Sequence, residues 1–556
     1  MAKTGSQLLL DTLTDEGVEV IFGVPGGQII HVFDALYDSP IKFILTRHEQ
    51  GAGHAADGYA RATGKVGVCM ATSGPGATNL TTAIATANMD SSPIVAITGQ
   101  VRTSLIGNDA FQEADTTGIT RPVTKHNCMI KNVKDVPRMV REAFYIARTG
   151  RPGPVLIDLP SDVAMSKHEG KLSKEIDLPG YKPRFEGNIR QIRLAADAIN
   201  QSKKPVLYAG GGVILAGASD LLTELAHKGN LPVTNTLMGL GCFPGDDPLF
   251  LGMLGMHGTA TANYAITESD LIIAVGARFD DRITGRIDEF APGAKVIHID
   301  IDPASISKNI KVDVPVVGDA KWILTELNKL ITFSDRTDWL NKINEWRRKH
   351  PLTYTKEEGV IKPQYVVQQI CEAAPHDAII TTEVGQNQMW TAQWYTFRKP
   401  RTLITSGGLG TMGFGFPAAI GAQAACPDRL VIDIAGDGSF QMNIQELATA
   451  VVNKLPVKVA ILNNGFLGMV RQWQKLFYKG RYSQTRLSGN PDFVKVAEAY
   501  GAKGIRITKP EEVRPAIEKA LAAPEVVIMD FVVAPEENVF PIVPAGEAIH
   551  RMINMA

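Results

Sequence analysis

Short apolar runs separated by helical stretches repeat along the whole of this chain, and no other feature constrains its fold as tightly. Val66–Ala71 (VGVCMA), Pro93–Thr98, Pro154–Leu159, Val206–Ala209, Asp270–Val275, Val296–Ile301, Leu430–Ala435 and Val457–Leu462 are continuous apolar runs, not alternating ones. Such strands are covered on both faces, and helices between them indicate parallel pairing. At 556 residues the chain is too long for one core. Two stretches interrupt the alternation: Ser166–Gly187, polar with Pro and Gly as a linker should be, and Phe333–Pro363, charged, with one helical segment around Trp339–Arg348. The expected fold is α/β, with three domains at about 1–180, 188–335 and 364–556. Each is expected to hold a central, mostly parallel sheet flanked by helices.

Lys+Arg is 57 against Asp+Glu 58, so charge gives no reason to invoke nucleic acid or a membrane surface. There is no apolar run long enough to span a bilayer, and the N-terminal run is too short for a signal peptide. Five scattered cysteines without a C-x-x-C read as free thiols in a reducing compartment. The expectation is a soluble, cytoplasmic protein.

In parallel sheets, ligands bind beyond the carboxyl ends of strands. Leu430–Ala435 runs straight into Gly436-Asp437-Gly438, and Asn463-Asn464 closes the next strand. One helix, about Asn443–Asn453, is expected to return the chain so that both strands end at the same edge. Asp437 and the amide oxygen of Asn464 then converge on one hard cation. Mg²⁺ suits such a site, because it takes few oxygens from protein and the rest from phosphate and water. Gly436 and Gly438 let backbone approach a phosphate, and Ser439 with the following helix start offers donors. Gly-Asp-Gly alone is an ordinary turn; the pairing with Asn-Asn one β-α-β unit later makes it specific.

That pairing resembles the thiamine-diphosphate binding signature. The resemblance implies that the cation ligands are Asp437, Asn464 and the backbone carbonyl of Phe466. It also implies that Gly385, Gln386 and Asn387, in the loop Glu383–Asn387, hold the diphosphate from its other side. The family usually has His at position 387; Asn still donates, so a retuned contact is expected. The segment Arg47–Arg61 (RHEQGAGHAADGYAR) matches the family closely. Glu49 is thereby implied to be the acid that switches the cofactor's aminopyrimidine to its imino form, a task suited to a carboxyl whose pKa burial has raised. Taken alone, Glu49 would be a charge complementing a helix dipole. Gly407–Gly413 (GGLGTMG) resembles the family's glycine-rich loop, with Gly410 at the cofactor and Met412 beneath it, where a core Met is the plain reading. Gly58–Lys65 lacks P-loop spacing, and His48 and His54 do not share a helix face as a zinc motif requires.

Over nearly its whole length the chain resembles the catalytic subunits of the acetohydroxyacid synthase (acetolactate synthase) family. The carrying segments are Thr72–Leu80 (TSGPGATNL), Asp109–Asp115 (DAFQEAD), Gly150–Pro160 (GRPGPVLIDLP), Leu254–Thr259 (LGMHGT), Gly276–Arg282 (GARFDDR), His298–Asp302 (HIDID) and Gly468–Gln474 (GMVRQWQ). The resemblance implies decarboxylation of pyruvate and joining of the two-carbon remainder to pyruvate or 2-oxobutyrate. The products would be 2-acetolactate or 2-aceto-2-hydroxybutyrate, in branched-chain amino-acid biosynthesis. Thiamine diphosphate, Mg²⁺ and a mostly structural FAD are the implied cofactors. Phe111 and Gln112 are implied beside the cofactor and substrate channel, and Arg282 on the acceptor's carboxylate. Trp473 is implied to favour 2-oxobutyrate, with Met256 also on the substrate side. Arg151, Gly210, Gly211, His257, Arg278, Asp300 and Asp319 match flavin-contacting regions. Without the family, Phe111 and Trp473 would be core aromatics and Arg282 a solvated charge. The Gly210–Gly212 triplet lacks a full dinucleotide fingerprint. Implied partners are a second copy, in a homodimer or homotetramer with sites between chains, and a small regulatory subunit.

Two departures stand out: Ser161 where the family typically has Lys near the substrate entrance, and a varied Val101–Ser104 loop. Alternatives are a catabolic FAD-free acetolactate synthase, a pyruvate oxidase or another thiamine carboligase, and, from a different class, a non-catalytic flavin-binding or regulatory paralogue. Intact Glu49, Asp437 and Asn464 argue against the last.

Overall fold

The continuous apolar runs become parallel strands buried on both faces. The computed structural model describes residues 2–169 and 175–554, so 170–174, inside the break at Ser166–Gly187, lie outside the described residues. The first sheet comprises β1 (Val20–Gly23), β2 (Lys42–Leu45), β3 (Gly67–Ala71), β4 (Ile94–Gln100), β5 (His126–Met129) and β6 (Val155–Pro160), in the order β2-β1-β3-β4-β6-β5. Every residue of β3, β4 and β6 is buried, which is what an uninterrupted apolar run demands.

The second sheet comprises β7 (Pro205–Ala209), β8 (Val233–Asn235), β9 (Phe250–Met253), β10 (Leu271–Val275), β11 (Lys295–Asp300) and β12 (Val314–Val317), in the order β9-β8-β7-β10-β11-β12. The third comprises β13 (Ile379–Thr382), β14 (Leu403–Thr405), β15 (Val431–Gly436), β16 (Lys458–Asn463), β17 (Lys503–Ile507) and β18 (Val527–Val532), in the order β14-β13-β15-β16-β18-β17. Numbered from its own first strand, each outer sheet runs 2-1-3-4-6-5, whereas the middle one runs 3-2-1-4-5-6, the doubly wound dinucleotide order. Strand order reverses between β1 and β3, between β7 and β10, and between β13 and β15. Ligand crevices are expected at those three places.

The outer sheets are joined by two small-residue helices, α1 (Glu49–Thr63) and α2 (Gly415–Ala425). A Cβ on Gly58 would lie 2.1 Å from the carbonyl oxygen of Ala418, and one on Gly421 would lie 1.8 Å from that of Ala55. The crossing is therefore backbone against backbone, and Ala52, Ala55, Ala418 and Ala419 belong to one continuous core with both sheets. The charged break at Phe333–Pro363 holds the helix Thr337–Lys349, whose Trp339 and Ile343 are buried against the middle sheet; Trp339 Nε1 donates to the Pro205 carbonyl at 3.1 Å.

The single helix expected at Asn443–Asn453 is corrected. A short helix, Asp437–Phe440, passes into a 3-10 turn, Gln441–Glu446, in which Asn443 leaves helical geometry, and only then does helix Leu447–Val452 begin. The Asn443 side chain bonds outside the helix at the break: its Nδ2 donates to the distant Gly413 carbonyl at 2.6 Å, and its Oδ1 accepts locally from Gln445 Nε2 at 3.0 Å. All five cysteines are free, Cys69 and Cys242 fully buried. No helix among the described residues is long and apolar enough to cross a membrane.

Candidate active site

Beside the β13–β15 reversal, Asp437 and Asn464 follow the ends of the neighbouring strands β15 and β16. β15 and β16 run in register, Gly436 opposite Leu462, so Asp437 and the Asn463-Asn464 pair leave the sheet side by side. The Asp437 carboxylate is buried and accepts from Asn490 Nδ2 at 2.6 Å and from the backbone N–H groups of Asn464 and Gly465. It makes no ion pair among the described residues, and burial pushes its pKa up to about 6. Asn464 Nδ2 donates to Gln386 Oε1 at 3.2 Å, which turns Oδ1 toward the Phe466 N–H at 3.0 Å. A buried carboxylate that no basic side chain pairs among the described residues, beside an amide oxygen and the Phe466 backbone, fits a hard divalent ion.

Other residues around this crevice do different work from that expected. Gln386 donates to Gln472 Oε1 at 2.9 Å and to the Glu537 carbonyl at 3.0 Å, so its side-chain amide is committed within the protein. What it has left for a phosphate is the backbone N–H at the start of helix Gln386–Trp394. The hydrogen bond expected from Asn387 is not available, because both its amide hydrogens go to the carbonyls of Glu383 and Ile434, each at 2.9 Å. Asn387 ties the ends of β13 and β15 together. Ser439 Oγ and Gly436 bond reciprocally, at 3.2 and 3.3 Å. A Cβ on Gly438 would reach the side chains of Leu467 and Leu487 at 2.8 and 3.0 Å, so that position is kept small by apolar packing as well.

Gly410 and Met412 lie on a loop pinned along its length. Asp90 accepts from the N–H groups of Gly407 and Gly408 at 3.1 and 2.6 Å. Thr411 shares a 2.7 Å hydrogen bond with Thr86, and Glu383 accepts from the Gly413 N–H at 2.6 Å. Burial pushes Glu383 up to about 8 against the pull of these backbone donors. The side chains left free, Leu409 and Met412, face a cavity of about 780 Å³.

This cavity gathers most of the remaining candidates. Arg151, Gly211, His257, Arg278, Asp300 and Asp319 line it, together with Met256, Arg282 and Trp473 and with Gly385, Gly410 and Met412. Its floor is the β7–β10 reversal of the dinucleotide-type sheet. Two buried polar atoms on its wall, Tyr208 Oη and His257 Nδ1, have no partner among the described residues, and burial lowers His257 to about 4, so the ring is neutral. Unpaired buried polar groups in a volume within the range of ligand pockets fit a large, polar, mostly apolar-walled ligand such as FAD. Gly210 does not line the cavity. A Cβ there would meet the Gly276 carbonyl oxygen at 2.2 Å, so close approach of two loops explains it better than flavin contact. Trp473 projects from α3 (Gly468–Phe477), which follows the Asn464 loop. Arg282 is 61% exposed, and among the described residues its side chain reaches only Met256 Sδ at 3.7 Å and Asp281 at 3.8 Å. Its guanidinium is free to take a carboxylate.

Glu49 and Gln112 gather elsewhere, at the β1–β3 reversal. Glu49 opens α1, half-buried, and Asn79 Nδ2 donates to its Oε2 at 2.9 Å. Gly76 lies beside Oε1: a Cβ there would come within 3.3 Å of it and meet Thr72 Cγ2 at 2.9 Å. Gln112, at φ 60°, packs its backbone on Gly74, just before the short helix Pro75–Asn79. Phe111 is 83% exposed, so it is not the core aromatic that its type suggests. Glu49, Phe111 and Gln112 are not on the wall of the large cavity. Asn79 and Asn490 escaped the sequence reading, since a single Asn bonding a distant carboxylate leaves no spacing pattern.

The chain matches three family models in succession: thiamine pyrophosphate enzyme, N-terminal TPP binding domain, over residues 3–119; the central domain over 192–327; and the C-terminal TPP binding domain over 383–531. It is 52% identical to an acetolactate synthase of Mycobacterium bovis over 98% of this chain and 90% of that protein. It is 51% identical to the acetolactate synthase large subunit of Corynebacterium glutamicum over 98% and 89%, and 49% identical to that of Haemophilus influenzae over 99% and 98%. Full-length similarity at this level, together with three sheets whose reversals carry the matched motifs, makes the chain a member of the acetolactate synthase family of thiamine pyrophosphate enzymes.

Proposed function

We infer that this chain decarboxylates pyruvate and condenses the two-carbon remainder with pyruvate or 2-oxobutyrate, giving 2-acetolactate or 2-aceto-2-hydroxybutyrate. The observation that carries the reading is the cavity that brings Met412, Arg282 and Trp473 together, in a chain about half identical to acetolactate synthases throughout. Bound thiamine diphosphate would supply a nucleophilic carbon and an electron sink for decarboxylation. Asp437, Asn464 and Phe466 would hold Mg²⁺ against its diphosphate, and the helix start at Gln386 would donate to the phosphate oxygens. Glu49 would hold a proton at the cofactor's ring nitrogen through Oε1, the oxygen left free by Asn79. Arg282 would fix the acceptor's carboxylate while Trp473 shapes the pocket for its alkyl end. FAD would fill the crevice above the middle sheet between Arg151, Arg278 and Asp319, as a structural element. The test supplies purified protein with pyruvate, with and without 2-oxobutyrate, plus thiamine diphosphate, Mg²⁺ and FAD, and quantifies both products; absence of both with cofactors bound overturns the reading.

Because Glu49 and Phe111 lie away from the cavity wall and Phe111 is largely exposed, we place each complete site between two chains, in a homodimer or homotetramer. A fully active monomer in analytical ultracentrifugation would contradict this. The name large subunit, borne by several relatives, supports a smaller regulatory partner, and five free thiols support a cytoplasmic setting.

Two results are expected from the site. Mg²⁺ must displace the proton on Asp437, so its affinity holds above the pKa of about 6 and falls about tenfold per pH unit below it. Titrating Mg²⁺ by tryptophan fluorescence between pH 5 and 7.5 checks this; Asp437→Asn should bind weakly with no such slope. Trp473→Leu enlarges the acceptor pocket and should lower the preference for 2-oxobutyrate over pyruvate by about 10–200-fold, read from competing substrates in one assay.

A further inference from the structure

Glu446 is a fully buried carboxylate with no part in the chemistry assigned above. Its Oε1 accepts the N–H groups of Arg47 at 3.1 Å and His48 at 3.0 Å, and its Oε2 accepts Arg47 N–H at 3.2 Å and the Thr449 hydroxyl at 2.6 Å. Arg47 and His48 are the two residues before α1, and His48 caps the helix, its Nδ1 accepting from the Gln50 N–H at 3.1 Å. Glu49 comes next. The first turn rests on the carboxylate so closely that a Cβ on Gly51 would lie 2.5 Å from Glu446 Oε1. Glu49 is thus held at two points: its carboxylate by Asn79, and the backbone leading into it by Glu446.

Glu446 also ends a segment that runs back to the cation loop and the Met412 loop of the same chain. Gln441 Nε2 donates to the Asp437 carbonyl at 2.9 Å, and Asn443 Nδ2 to the carbonyl of Gly413, next to Met412. The nine residues from Gly438 to Glu446 therefore contact the Asp437 backbone, the loop of Met412 and the entry to the helix of Glu49.

We propose that Glu446 is a positioning residue for Glu49, acting through the backbone N–H groups of Arg47 and His48. The proposal rests on the reading of Glu49 as the cofactor's acid, for which placement within a fraction of an ångström decides whether a proton is shared. Reach and charge can be separated by substitution. Glu446→Asp keeps the charge but withdraws the acceptor by one methylene, whereas Glu446→Gln keeps the length and leaves one oxygen facing both N–H groups.

Two readouts apply to the full-length protein. In the cofactor-free chain, amide hydrogen exchange at Arg47 and His48 should be about tenfold or more faster in Glu446→Asp and within about threefold of the parent in Glu446→Gln. With thiamine diphosphate and Mg²⁺ bound and no substrate, exchange of the cofactor's C2 proton for deuterium should slow about tenfold or more in the Asp variant and stay near parental in the Gln variant. General loss of structure would instead expose amides throughout α1. If Glu446→Asp does not fold, Thr449→Val, which removes the hydroxyl donor to Oε2 and leaves it only the Arg47 N–H among the described residues, should move both readouts the same way by about threefold. Parental C2 exchange in Glu446→Asp or in a substituted Thr449→Val test, or a Gln variant as slow as the Asp variant, overturns the proposal. Glu49→Gln is run alongside: slow C2 exchange there with fast exchange in Glu446→Asp sinks this proposal alone. Parental exchange in Glu49→Gln sinks the reading of Glu49 and this proposal with it.

Discussion

Replacing Glu49 by Gln leaves the chain folded and lowers product formation by about 10²–10⁴-fold, the range for loss of a positioned acid or base. Gln has the same length, and its amide oxygen can still accept from Asn79 Nδ2, so the hydrogen bond at 2.9 Å survives. The position is half-buried at the first residue of α1, and the lost charge–dipole interaction is worth only about 0.3–1 kcal/mol. The substitution removes the proton that Oε1 would share with a ring nitrogen. Steady-state rates should therefore collapse while cofactor affinity at the diphosphate end, set by Asp437 and Asn464, changes little. An unchanged rate would show that the acid lies elsewhere.

The largest effect on stability is expected where α1 crosses α2. A Cβ on Gly421 would lie 1.8 Å from the Ala55 carbonyl oxygen and 2.6 Å from its carbon, both backbone atoms of a buried helix. No side chain can turn aside, so Gly421→Ala must push two helices and their sheets apart. The overpacking should cost about 3 kcal/mol or more, the upper end for an enlarged core residue. Chemical denaturation followed by circular dichroism would measure the loss. Gly180→Ala, where a Cβ meets nothing within 4 Å, serves as the control and should be nearly neutral.

Much of this architecture was legible because it depends on runs and spacings. Continuous apolar strands announce parallel sheets, and Gly436-Asp437-Gly438 with Asn463-Asn464 announces two adjacent strand ends, which β15 and β16 provide. The shared strand order of the outer sheets was not legible, because pairing order depends on contacts between distant segments that no local pattern records. The same limit explains Asn443, whose bond to the distant Gly413 lies at the break in a helix that propensity favours. It explains Asn387 in part: substituting for His suggests a donor aimed at a ligand, yet one hydrogen goes to the carbonyl of Glu383, four residues back, and the other to that of Ile434 on β15, 47 residues away. Gly210 was read as a flavin-contacting residue by resemblance, but glycine serves close backbone approach of any kind; here the neighbour is Gly276.

The crossing of α1 and α2 also bears on how the molecule can move. Domains that shear past each other do so on layers of side chains that re-pack by changing rotamer. At Gly58 and Gly421 no such layer exists, since peptide groups of one helix rest on those of the other. The outer two sheets therefore travel as a single rigid unit. Opening and closing of the cavity fall to elements without that restraint, among them α3, whose Val470, Trp473 and Phe477 are exposed. A spectroscopic probe on Trp473 would report gating, whereas one placed across α1 and α2 would stay silent through the catalytic cycle.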